Sequence, residues 1–154
     1  MSGIMKNLAG HCGKFEGEGV NHEGNRFVGR LQISSVPNVQ SIQIEFHAQT
    51  MDGLPFHQER TTIAFNPKET LCLWSINSNN PHMLQHELRQ EDVTEAGSCQ
   101  VYVFGYGDPG DRTEFREEIT LEVWNSGEIG YHYAWKMPDS DVETRLSVNL
   151  SPEM

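Results

Sequence analysis

Seven histidines, 22 acidic side chains and three cysteines are the groups in this 154-residue chain most able to do chemistry. His82 and His86 stand four residues apart, the spacing at which one helix face offers two imidazoles to a zinc ion. In an extended strand the same pair lies roughly 13 Å apart along the chain, so that reading needs a helix running through Glu87-Leu88-Arg89-Gln90. No metal site is expected. Glu16 and Glu18 form a candidate carboxylate pair for acid/base work. They alternate with Gly17 and Gly19, however, and glycine inside a strand marks a bend or a close backbone approach. A curved strand with solvated glutamates is the reading adopted. His11 beside Cys12 is a candidate reactive pair, but neighbours on a strand point to opposite faces, so Cys12 is read as structural or incidental. An odd cysteine count without a CxxC pair argues against a disulfide framework or a structural zinc. Cys72 and Cys99 sit in apolar runs, where a free thiol behaves as a small hydrophobe.

Gly105-Tyr106-Gly107-Asp108-Pro109-Gly110 spells GxGxxG, which signals dinucleotide binding only between a strand and a helix. Here a proline interrupts it and a strand-like run over 113–125 follows, so it is read as a hairpin connection. No nucleophile elbow, zinc signature or local triad motif occurs, and no catalytic residue is assigned.

The elements that must position these groups are strands. Turn signals recur at Gly24-Asn25, Pro37-Asn38, Asp52-Gly53, Asn66-Pro67, Asn79-Asn80-Pro81, Asp108-Pro109-Gly110, Ser126-Gly127 and Pro138-Asp139. Between them lie short runs rich in β-branched and aromatic residues. Several alternate with period 2: Phe115, Glu117, Ile119, Leu121 and Val123 share one face, and Arg116, Glu118, Thr120 and Glu122 the other. Ile129, Tyr131, Tyr133, Trp135 and Met137 likewise oppose Gly130, His132, Ala134 and Lys136. Strands are predicted near 14–20, 25–35, 39–50, 56–65, 70–77, 83–90, 99–106, 113–125, 128–137 and 142–150, with one short helical turn near 4–8. The connections are too short for parallel crossovers. The predicted fold is all-β: a single antiparallel up-and-down β-barrel of about ten strands, whose closure removes exposed edges. The length suits one domain spanning 1–154.

A net charge of -11 argues against nucleic acid and anionic membranes as partners, since binding either usually needs a basic footprint. No apolar run approaches the roughly 20 residues of a membrane-spanning helix. Residues 1–6 lack the apolar region of a signal peptide, so cytoplasm is the expected compartment. A homodimer is compatible with all of this.

Leu8-Ala9-Gly10 followed by Gly13-Lys14-Phe15-Glu16-Gly17-Glu18-Gly19 resembles the opening LxGxWxGxGxG of the nitrobindin-like and DUF1579-like families. These belong to the calycin group of lipocalin-like and fatty-acid-binding-protein-like barrels. Leu54-Pro55-Phe56-His57-Gln58-Glu59 is similar to the P-x-H-x-E start of a middle strand in nitrobindins, and Tyr131–Met137 to the xYxxxM run of their penultimate strand. The resemblance implies a ten-stranded barrel with a small N-terminal cap. It departs where the opening tryptophan should stand, at His11-Cys12. Haem-holding nitrobindins use a histidine in the last strand, but residues 138–154 contain none, and His132 lies one strand early on the face opposite Tyr131 and Tyr133. A neutral imidazole is a usual axial ligand, so haem is disfavoured and no other cofactor is expected.

A barrel of this size can enclose a small ligand. Phe46, Trp74, Tyr131, Tyr133 and Trp135 are the expected lining, with His57 and Arg60 as polar contacts. Those last two rest on the family likeness and the middle strand they share, and strand alternation lets at most one point inward. The leading expectation is a binding protein for a small apolar or amphipathic molecule. The alternatives are an isomerase, lyase or hydrolase acting in the cavity, and a non-catalytic interaction domain with a filled interior.

Overall fold

Alternation of apolar and polar residues makes strands that can bury one face only, and here the inward faces close on one another. The computed structural model describes residues 3–36, 38, 40–94 and 97–153. Helix α1 (Gly3–Ala9) leads into β1 (Gly13–Asn21), β2 (Arg26–Val36), β3 (Ser41–Thr50), β4 (Pro55–Phe65) and β5 (Leu71–Asn77). The chain continues through β6 (Asn80–Val93), β7 (Cys99–Tyr106), β8 (Arg116–Trp124), β9 (Ile129–Lys136) and β10 (Glu143–Pro152). Each strand pairs with its sequence neighbours and β1 pairs with β10, so the sheet is a closed antiparallel barrel. The predicted ten-stranded up-and-down architecture is the one that forms. The predicted start of β3 at residue 39, and Pro37 of the turn before it, lie outside the described residues.

Two elements differ in extent by three residues at an end, the others by fewer. β6 runs over 80–93 because the segment Glu87–Gln90 pairs with β7 instead of turning helical. β8 starts at Arg116, since the chain before it is held in turns by Asp111 N–H to Asp108 O (3.1 Å) and Thr113 N–H to Asp111 Oδ1 (2.8 Å).

The seam between β1 and β10 explains the alternating glycines. A Cβ on Gly17 would stand 2.0 Å from the Asn149 carbonyl oxygen. On Gly19 it would meet the Ser147 carbonyl oxygen at 2.3 Å and the Phe27 ring at 2.6 Å. Only glycine allows strands to approach so closely. Glu16 and Glu18 face outward and pair with Arg30 and Arg26.

The barrel has two unlike ends. The hairpins that follow β1, β3, β5, β7 and β9 form one rim, the mouth. At the other end α1 inserts Ile4, Met5 and Leu8 against inward residues such as Ile33, Ile42 and Ile44. Asn7 Nδ2 ties it down by donating to Gln100 Oε1 and to the Tyr102 hydroxyl (3.1 Å). Each large apolar side chain buried there contributes about 1.5–3 kcal/mol. Among the described residues no helix is long and apolar enough to cross a membrane.

Candidate functional site

Toward the mouth the inward faces turn polar. β4 contributes His57, Glu59 and Thr61, β5 Ser75, β6 His86, β8 Glu117, and β9 Tyr131 and Tyr133, all buried. A carboxylate taken out of water is tolerable only when donors surround it. Glu59 has them. Its Oε1 accepts from Ser75 Oγ (2.9 Å) and Thr61 Oγ1 (3.3 Å), and its Oε2 lies 3.1 Å from His57 Nε2. With Nε2–H donating to Glu59, His57 Nδ1 is left to accept from Asn79 Nδ2 at 2.9 Å.

Glu117 is differently placed. Beside it stands His86, with Nε2 3.3 Å from Oε1 but out of hydrogen-bond alignment. Among the described residues, both Glu117 oxygens, both His86 nitrogens and the Tyr131 hydroxyl make no well-aligned hydrogen bond, although the Tyr133 hydroxyl stands close to Glu117 and the Tyr131 hydroxyl close to Glu59. Each such buried group costs about 1–3 kcal/mol, and more when charged. Burial and then the Glu59 carboxylate push the Tyr131 hydroxyl well above its ordinary pKa. Burial and then the Glu117 carboxylate do the same to Tyr133, whose oxygen accepts from Asn77 Nδ2 at 3.3 Å.

Aromatic rings frame this chamber. Phe46 stacks on Tyr131 across the lumen, with ring centres 4.4 Å apart. At the mouth a chain of rings runs from His86 to Tyr106 (6.1 Å), Phe115 (6.3 Å) and Trp135 (6.4 Å). A bulge between Thr144 and Leu146 shifts the β10 register beside β9, and the Arg145 guanidinium sits 4.0 Å over the Trp135 ring. Two clefts open there, of about 280 and 220 Å³, sharing Asn79, Tyr133 and Trp135 as walls. His57 and Arg145 complete the first, and Phe115 and Met137 the second. Singly they are smaller than the roughly 300–1,000 Å³ of pockets for drug-sized ligands; side by side they fall within it.

Phe46, His57, Tyr131 and Tyr133 from the expected lining meet in the lumen, and Trp135 stands half-buried at its rim. Two expected residues do not join them. Arg60 points outward, its side chain 81% exposed and 3.6 Å from Glu45. Trp74 belongs to the outward set of β5, whose Leu71, Leu73 and Ser75 take the inward places. Met137, expected on the Tyr131 face, is exposed beyond the end of β9. His82 and His86 lie on a strand, the first exposed and the second buried, so the helix that a shared zinc required is not there. His132 is on the outer face, where Nδ1 meets Ser147 Oγ at 2.6 Å and Nε2 meets Glu122.

Glu59, Thr61, Ser75 and Glu117 are functional candidates that sequence reasoning did not single out, and His86 figures there only as half of a zinc pair. For Glu117 a signal existed: alternation puts this carboxylate on the same face as Ile119, Leu121 and Val123. The Phe46 and Tyr131 rings stack in the lumen, both His57 nitrogens are engaged, and His86 has no exposed surface.

Fold and site together define a closed ten-stranded barrel with a polar chamber beneath an aromatic mouth. The chain is similar in structure to Rv2717c from M. tuberculosis, whose crystal structure superposes over 100% of this chain and 99% of that one, with a TM-score of 0.72 and 11% sequence identity. At that identity the likeness speaks for the fold alone. No protein-family model and no curated protein matches the sequence.

Proposed function

We propose that this protein binds a small amphipathic molecule in the mouth half of its barrel. The observation that carries the reading is a set of buried side chains, Glu117, His86 and Tyr131, with no well-aligned hydrogen bond among the described residues, lying beneath clefts walled by Tyr133, Trp135 and Phe115. Rings supply apolar contact and the polar floor supplies orientation, the usual division of labour in small-molecule sites. Exposed Met51, Leu54, Phe56, Met83 and Met137 lie in or beside the mouth hairpins and give the rim an apolar edge suited to such a ligand. This extends the apolar-ligand expectation by giving the ligand a polar end. The likeness to calycin barrels of the nitrobindin type, and a cytoplasmic setting, belong to the same reading. Haem is not its ligand: titrated hemin is expected to give no sharpened Soret band.

An isomerase or lyase would need a free base in the chamber. His57 has both nitrogens engaged by Glu59 and Asn79, so a catalytic reading would fall to Glu117 and His86, which have no exposed surface.

The test compares the intact mass under native and denaturing conditions, and titrates an environment-sensitive apolar dye against tryptophan emission. A mass excess or saturable dye binding is expected. Trp135→Ala should weaken the dye by about 1–3 kcal/mol from lost apolar contact. A native protein that carries no ligand and binds no dye would make the interior a filled core and the protein an interaction domain.

A further inference from the structure

The lysines and arginines avoid the chamber. Among the described residues, Arg60 and Arg116 alternate outward with the carboxylates Glu59 and Glu117, and Arg60 pairs with Glu45 and Arg116 with Glu118 on the outer surface. Lys136 directs its ammonium to the Arg112 carbonyl at 3.1 Å. Arg145, the basic group over the mouth, is spread on Trp135 and paired with Glu143 at 3.3 Å. The lumen therefore holds two carboxylates, two imidazoles and no ammonium or guanidinium. A ligand carboxylate or phosphate entering it would meet two carboxylates and no ammonium or guanidinium.

The two carboxylates are unequal. Glu59 is saturated by Ser75, Thr61 and His57. Glu117 has two oxygens without a well-aligned donor among the described residues, the Tyr133 hydroxyl standing close by, and lies 3.3 Å from an imidazole that is also without hydrogen bonds. What completes Glu117 must donate, because a carboxylate only accepts. A positive donor is favoured twice, by the carboxylate and by the faces of the surrounding rings. Tyr133 connects this floor to the outside: its ring walls both clefts, and its hydroxyl feels the Glu117 charge.

We propose that the chamber takes an amphipathic amine, whose ammonium group pairs with Glu117 while its apolar body lies among Tyr133, Phe115 and Trp135. This rests on the binding function proposed above and names its ligand class. Because Glu117 has no exposed surface, entry requires the side chains that cover it to turn aside.

Three probes that share one apolar body separate the possibilities: naphthylmethylamine, naphthylmethanol and naphthylacetate, each titrated by calorimetry at neutral pH. The amine is expected to bind about tenfold or more tightly than the alcohol, the equivalent of one close charge contact, and the acetate not measurably. Glu117→Gln should abolish the amine's advantage over the alcohol, with far-ultraviolet circular dichroism confirming the fold. If that variant does not fold, the wild-type ranking of the three probes still decides the matter. Equal binding of amine and alcohol, or tight binding of the acetate, would overturn the ligand class while the binding function stands. Binding of none of the three would count against both.

Discussion

Ser75 and Tyr131 both carry a hydroxyl into the same chamber, yet their removal should have unlike consequences. Ser75 Oγ donates to the buried Glu59 carboxylate at 2.9 Å, a charge-assisted bond. Ser75→Ala is expected to cost about 1.5–3 kcal/mol, because the carboxylate loses a donor that water does not replace. Tyr131→Phe removes a hydroxyl that makes no well-aligned hydrogen bond among the described residues, and should change stability by less than about 1 kcal/mol. Urea unfolding of the two variants checks the pair, and an equal cost would mean that Glu59 is not held as described. The cysteines divide in the same way. Cys12 is exposed, whereas Cys72 and Cys99 are buried and burial raises both of their thiol pKa values. A thiol reagent should label Cys12 rapidly in the native protein and the other two only after denaturation, and reductant should leave the unfolding midpoint unchanged.

Among the elements, β1 is the most tightly constrained. Gly17 and Gly19 face the carbonyl oxygens of Asn149 and Ser147 at distances no side chain tolerates. Gly19→Ala must push β10 or Phe27 aside, and overpacking of this kind costs about 1–3 kcal/mol. Gly29 on the neighbouring β2 offers the control. A Cβ there would meet the Phe46 and Leu150 side chains at 3.4–3.5 Å, an ordinary contact, so Gly29→Ala should be neutral or slightly stabilising. Should the two substitutions prove equally harmless, the β1–β10 seam is looser than the geometry requires. Bulges act at the same scale: the shift between Ser75 and Asn77 lies beside the hairpin from which Asn77 reaches Tyr133.

For the molecule as a whole, the buried tyrosines set the alkaline limit of stability. Tyr131 and Tyr133 keep their protons in the folded state at a pH where the unfolded chain releases them, since burial raises both pKa values above the ordinary 10. A group whose folded pKa is raised contributes stability that is fully present below the unfolded pKa and lost as pH rises past it. Stability is therefore expected to fall above about pH 10, by roughly 1.4 kcal/mol per pH unit for each tyrosine that stays protonated. Phenolate absorbance of these two residues should appear together with loss of the β circular dichroism signal; its appearance in intact protein would place their hydroxyls in water.

Local patterning carried the fold. Period-2 alternation in β8, β9 and β10, punctuated by turns such as Asp52-Gly53 and Ser126-Gly127, states strand number and direction without any long-range information. Closure follows because inward faces must meet one another. The phase of alternation was less legible where hydrophobicity does not mark it. In Leu71-Cys72-Leu73-Trp74-Ser75 both faces read as apolar, and in His57-Gln58-Glu59-Arg60 both read as polar. Trp74 and Arg60 were misplaced for that reason, and pairing with neighbouring strands settled which face turned inward. The chamber itself was beyond local reading. Glu59 meets Ser75 16 positions away, and Glu117 meets His86 from β6, a strand that is not its sheet neighbour. Side chains from non-adjacent strands come together only once the barrel has closed, so their chemistry is a property of the tertiary structure.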